Sequence, residues 1–188
     1  LIILGVGLIA GMLIITKGDS FRMQRMRTFK KYSLFFKERD LSQSANADYQ
    51  VRESLTALTS GGLFGTGIAR GRAKHYYLPE ARTDYVYTII GEEWGYLGAM
   101  LVFLLHSVLF FTSVKMANKH ENQYYRFLGV GMALNIYANV LVNTGVAMSI
   151  LPPTGNTLPF ISYGGSALMM DGVAVGVILN ISAQRRSL

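Results

Sequence analysis

The chain has 188 residues, a formal net charge of +7, 51% hydrophobic and only 15% charged residues, and a mean hydropathy of +0.29. A soluble domain carries nearer ~25% charged residues, so a free-standing soluble enzyme and a disordered chain are both excluded, and the long apolar blocks point to a membrane protein. The absence of cysteine excludes disulfides, zinc thiolate sites and cysteine nucleophiles, and His75, His106 and His120 show no metal-ligand spacing.

Leu1 stands inside an apolar run with no initiator Met, and neither a basic stretch nor a cleavage site follows. This reads as the C-terminal piece of a longer protein and not as a signal peptide. Apolar blocks occupy residues 1–15, 94–114 (from about 85 with its polar first turn), 127–148 and 166–183. Crossing the hydrocarbon takes ~20 apolar residues, so spans are expected at about 1–16, 85–114, 127–148 and 166–183. The expected fold is all-α, a polytopic membrane helix bundle. Gly7 and Gly11, Gly91 and Gly95, and Gly172 and Gly176 are each four apart, the spacing that lets helices approach closely in lipid.

Residues 17–84 form one segment of 68 residues with 13 of the 18 basic and 7 of the 11 acidic side chains. Its first stretch, 21–37, mixes Arg22, Arg25, Arg27, Lys30, Lys31 and Lys37 with Phe21, Met23, Met26, Phe29, Phe35 and Phe36. That composition suits an interfacial helix, with aromatics in lipid and cations on headgroup phosphates. Because these cations are interleaved with membrane anchors, the positive charge does not indicate nucleic-acid binding. Residues 46–60 read as a short amphipathic helix with Val51, Leu55 and Leu58 on one face, stopped by Gly61 and Gly62.

The run from Gly62 to Lys74 places Gly65, Gly67 and Gly71 among Arg70, Arg72 and Lys74. Glycines and cations can cradle a phosphate, although a glycine cluster alone is more often a turn. It is neither a Walker loop nor a dinucleotide fingerprint. Glu80, Asp84, Glu92 and Glu93 then place four carboxylates within 14 residues where the chain enters the membrane. A carboxylate kept partly dehydrated at a membrane mouth is suited to act as a base. The alternative is helix N-terminal acids that offset the macrodipole, and it stays open for Asp84, Glu92 and Glu93.

Asn135, Asn139 and Asn143 recur every four residues in the third block and share one helical face. That face should look into the bundle or a wet cavity, with interhelical hydrogen bonds favoured over ligand lining. Residues 151–166 hold Pro152, Pro153, Pro159, Gly155, Gly164 and Gly165 among apolar and hydroxyl side chains. This is too apolar for a solvated loop and reads as a re-entrant element, serving as a rigid cap or as a substrate contact. The short connection 115–126 carries Lys115, Lys119 and Arg126, the tail ends in Arg185 and Arg186, and 149–165 has no Lys or Arg. Short loops set orientation more reliably than long ones. Residues 17–84 and 149–165 are therefore expected outside, with 115–126 and the tail inside.

Three runs, SGGLFGTGIARG, LPEARTDYVYTIIGEEWGYLGA and LPPTGNTLPFISYGGSALM, resemble the SEDS family of bacterial cell-wall proteins (FtsW, RodA, SpoVE) in order, spacing and intervening spans. The resemblance covers essentially the whole chain as the last four of about ten spans, with a large extracytoplasmic loop. The details LPPTG and IIGEEWG lean toward the cell-division branch. The resemblance implies a peptidoglycan glycosyltransferase in the bacterial cytoplasmic membrane. It would polymerise lipid II at the outer face by inverting displacement of undecaprenyl pyrophosphate.

The presumed catalytic acid of the family falls on Asp84. As general base it would take the proton of the acceptor sugar hydroxyl. Arg70, Arg72, Lys74 and Arg82 would steady the leaving pyrophosphate, and Glu80, Glu92, Glu93, Ser162 and Tyr163 complete the expected substrate-binding set. The implied partners are a class B penicillin-binding protein transpeptidase, other cell-division proteins and membrane lipids. The sequence marks no cofactor, and a carboxylate beside a pyrophosphate leaves room for Mg2+ or Mn2+.

Two positions depart from the family pattern. Asp171 is an acid inside the last span, and Arg82 stands where many relatives carry His. The rest of the cavity-forming bundle is missing, so this piece alone should be inactive. A lipid II flippase and a non-catalytic scaffold for the transpeptidase are the competing functions. A flippase needs a charge-lined path, whereas here the charges gather at one mouth and mid-membrane holds little beyond the Asn stripe, His106 and Asp171.

Overall fold

The computed structural model describes residues 29, 32, 46–68, 70–71 and 83–184. The expected first span lies outside them, as does the basic stretch 21–37 apart from Phe29 and Tyr32. Among the described residues the helices are α1 Asn46–Gly61, α2 Val86–Glu93, α3 Gly95–Ala117, α4 Gln123–Ala147 and α5 Gly165–Gln184, with no strand.

The helices α3, α4 and α5 have 23, 25 and 20 residues, roughly 35, 37 and 30 Å at 1.5 Å per residue. Each is long and apolar enough to cross a membrane. Leu101, Leu105, Val108 and Phe111 of α3 and Leu168, Met169, Met170 and Val173 of α5 are exposed, the apolar exterior that a lipid-facing helix needs. Small and branched side chains fill the contact between helices. Ala133 and Ile136 of α4 bury against Ala174 and Ile178 of α5, and the Phe110 and Tyr137 rings stack at 4.6 Å between α3 and α4.

The second expected span differs from the observed helix. The chain from Tyr85 does not run straight into α3 but forms α2, then breaks at Trp94, with Gly95 opening α3. A break leaves carbonyls at the end of one helix and N–H groups at the start of the next without partners. The turn after α1 supplies both. Thr66 N and Gly67 N donate to Glu92 O and Glu93 O at 2.9 and 3.1 Å, and Tyr96 N and Leu97 N donate to Gly62 O and Leu63 O at 2.9 and 3.3 Å.

Helix α1 starts and stops where its sequence indicates, but its buried stripe is Val51, Ser54 and Ala57, with Leu55 and Leu58 only half-buried. Small residues win because α1 lies close on α2. Ser54 Oγ is 2.7 Å from Thr88 Oγ1 and donates to Ala147 O of α4 at 3.0 Å, and a side chain at Gly91 would collide with Leu58.

The bundle has two distinct ends. At one, Ala117, Gly129 and Ile181 converge near Lys115, Lys119 and Arg126. At the other lie α1, α2 and the loop 149–164. Gly172 and Gly176, expected to pack, meet no neighbour among the described residues where a Cβ would stand.

Candidate functional site

Asp84 is half-buried immediately before α2. The residue after it, Tyr85, is buried and starts the helix, its carbonyl accepting from Thr88 N at 3.0 Å. Two side chains hold the backbone on either side of Asp84. Asn143 Nδ2 of α4 donates to Asp84 O at 2.8 Å and to Asn156 O at 2.6 Å. Ser162 Oγ donates to Thr83 O at 2.6 Å while accepting from Leu158 N at 2.7 Å. Gly155, at φ +79°, faces the acid: a Cβ there would lie 3.4 Å from Asp84 Oδ2.

The loop that reaches Asp84 is anchored from below. Leu158 and Pro159 are buried between helices, and His106 of α3 places Nε2 3.2 Å from Pro159 O and Nδ1 2.8 Å from Val102 O, a neutral imidazole donating to one of the two. The next residue, Phe160, adopts φ +63°, a conformation that costs ~1–2 kcal/mol for a residue with a side chain. Asp171, buried in the last span, lies beside the Phe160 backbone and His106. Tyr163, by contrast, is 82% exposed at the loop's end.

Glu92 and Glu93 are buried at the other end of α2. Acids there oppose the dipole of α2 but precede the N-terminus of α3, where negative charge is favoured. Gly71 lies against them: a Cβ at 71 would come within 2.8 Å of Glu92 Oε2. Arg70 is exposed and lines a cavity of about 300 Å³ with Glu53, Thr56, Ser60, Thr66 and Glu92. The Thr66 and Gly67 N–H groups that a phosphate cradle would use are already bonded to the end of α2. A second, apolar cavity of about 570 Å³ opens among Leu58, Tyr87, Tyr96, Met100, Phe103 and Met148.

The expected site residues therefore fall into two groups. Asp84 and Ser162 meet at one end of α2, and Arg70, Glu92 and Glu93 gather at the other, roughly 12 Å along the helix. Arg72, Lys74, Glu80 and Arg82 lie outside the described residues. Among the described residues no group of three His, Asp or Glu side chains could hold a metal ion. Asn143 is the residue that sequence reasoning undervalued. Of the Asn stripe, Asn135 is exposed, Asn139 half-buried and only Asn143 buried. The signal was its position, nearest the membrane mouth.

The family model described as cell cycle protein, FtsW/RodA/SpoVE, matches residues 1–187. The stage V sporulation protein E of Bacillus subtilis (strain 168) is 44% identical over 138 residues, covering 73% of this chain and 38% of that protein. A probable peptidoglycan glycosyltransferase FtsW of Geobacter sp. (strain M18) is 36% identical over 186 residues, covering 98% and 48%. One from Coxiella burnetii (strain RSA 493 / Nine Mile phase I) is 38% identical over 179 residues, covering 93% and 46%. The chain spans about half the length of such curated relatives. A chain from a solved peptidoglycan synthase complex, studied for its coordination of polymerization and crosslinking, shares the fold. It has TM-score 0.57 and 24% identity, covering 97% of this chain and 48% of that one.

Proposed function

The chain belongs to the FtsW/RodA/SpoVE family of cell cycle proteins, and from that premise we propose that it carries the catalytic end of a peptidoglycan glycosyltransferase that polymerises lipid II during cell division. The observation that carries the proposal is the setting of Asp84. Its peptide is held to α4 and to the re-entrant loop, while a bare glycine faces its carboxylate.

A base must be fixed within hydrogen-bond reach of the proton it takes. Asp84 accepts the proton of an acceptor sugar hydroxyl as that oxygen attacks the anomeric carbon of the donor. The bond to the undecaprenyl pyrophosphate breaks on the opposite face, so the carbon inverts, as in single displacements by inverting glycosidases. Arg70, with Arg72, Lys74 and Arg82, stabilises the charge that develops on the departing diphosphate. Glu80, Glu92, Glu93, Ser162 and Tyr163 complete the substrate-binding set, Ser162 by holding the loop to Thr83 and Tyr163 as an exposed contact. The apolar cavity beside Tyr96 and Met100 is suited to a prenyl chain.

The reaction belongs on the extracytoplasmic face of the cytoplasmic membrane. Lys115, Lys119 and Arg126 sit at the end of the bundle away from Asp84, and short-loop cations favour the cytoplasm. The partner is a class B penicillin-binding protein transpeptidase, in line with the synthase complex whose chain shares this fold. The names of the relatives support the transferase over a flippase.

The test is glycan-chain synthesis from lipid II by the full-length protein with its transpeptidase, Asp84 against Asp84→Asn. Loss of ~10²-fold or more is expected from removing a general base. Equal output from the two proteins would refute the assignment and leave a flippase or scaffold role.

A further inference from the structure

We infer that Asn143 is a positioning residue for Asp84, the pin that decides where the carboxylate stands. The inference rests on the reading of Asp84 as the base.

Asn143 is 1% exposed inside an apolar helix, a placement that is costly for an amide unless it is hydrogen-bonded. Both hydrogens of Nδ2 are used, one on Asp84 O at 2.8 Å and one on Asn156 O at 2.6 Å. Two carbonyl acceptors on one atom require the NH2 group there, which fixes the amide's orientation. Among the described residues its Oδ1 is buried with no hydrogen-bond partner.

The geometry explains what the amide does. The carbonyl of Thr83 is held by Ser162 and the carbonyl of Asp84 by Asn143. These two peptide planes flank the Asp84 Cα, so its φ and ψ are set from both sides. The second bond of Asn143 holds Asn156, whose neighbour Gly155 faces Asp84 Oδ2. One amide therefore fixes both the backbone that carries the carboxylate and the loop in front of it. Contacts separated by 59 and 13 residues in the chain are joined at this point.

The experiment uses the full-length protein with its transpeptidase and compares Asn143→Leu, Asn143→Asp and Asp84→Asn over a range of lipid II concentrations. Asn143→Asp keeps the side-chain shape and loses the paired donors, so it separates the bonds from the packing. Misplacing a reacting group by about 1 Å costs on the order of 10²-fold. Both Asn143 variants are expected to lose about 10- to 100-fold in kcat, with KM within about threefold.

Hydrogen–deuterium exchange on the same samples should quicken in residues 83–90 and 149–165 and stay unchanged in α3 and α5. Wild-type kcat, a loss carried wholly by KM, or exchange that quickens in every helix would overturn the inference. Those outcomes with an inactive Asp84→Asn remove the pin alone. An active Asp84→Asn removes the base itself.

Discussion

Gly65 is packed against the backbone carbonyl of Glu93, with its own φ at +82°, so no side chain fits between the turn and the end of α2. This contact lets the turn supply the N–H groups that the broken helix lacks. Gly65→Ala would combine left-handed strain of ~1–2 kcal/mol with a backbone collision, and should cost at least ~2 kcal/mol of stability. Thermal unfolding of the full-length protein in detergent would show a lowered midpoint. An unchanged midpoint would mean that the turn can detach from α2 without cost.

The hydroxyls of Ser54 and Thr88 meet at 2.7 Å between α1 and α2, both fully buried. Replacing Ser54 leaves the Thr88 hydroxyl short of a partner, at a cost of ~1–3 kcal/mol, whereas replacing Thr88 leaves Ser54 its bond to Ala147 O. Removing both takes away the donor and acceptor together. The Ser54→Ala and Thr88→Ala losses should therefore exceed the loss in the double variant when summed. Strict additivity in a double-mutant cycle would show that the pair does not act as a unit.

Asp171 lies beside the Phe160 backbone from inside the last span. Asp171→Asn keeps an oxygen that the Phe160 N–H can use, whereas Asp171→Leu removes it. The Leu variant should lose ~1–3 kcal/mol and expose the loop 149–164 to protease, with the Asn variant close to wild type. Equal protease sensitivity of the two would mean that the turn at Phe160 stands without the acid.

Gly155 and Gly164 lie on the same loop but should respond differently to substitution. A Cβ at Gly164 meets only ordinary contacts at 3.5 Å, with Ala167 and Thr157. A Cβ at Gly155 is strained by φ +79° and stands in front of Asp84. Gly155→Ala should lower polymerisation by about tenfold, and Gly164→Ala should leave it near wild type. Matching activities would show that the space before the carboxylate is not used.

Local pattern made much of this architecture legible. Apolar runs mark the spans that became α3, α4 and α5, and Gly61 and Gly62 mark the end of α1. The break at Trp94 was not legible, because the residues that stabilise it belong to a turn 26 residues earlier, as in the bond from Thr66 to Glu92 O. The Asn stripe suggested three equivalent amides, since period alone cannot tell which turn of α4 the loop will cover. Gly172 and Gly176 carried a packing spacing but face no neighbour among the described residues, because spacing names a face and not its partner.

The amino-acid order by itself determined which segments are apolar enough to cross a membrane, where the carboxylates and cations collect, and which family's motifs are present. These depend on composition and on repeats of a few residues, which any window of the chain displays. Only the tertiary structure decided that the backbone around Asp84 is held by Asn143 and Ser162. Those bonds join residues 59 and 79 apart, and such pairings exist only once the packed helices bring the segments together.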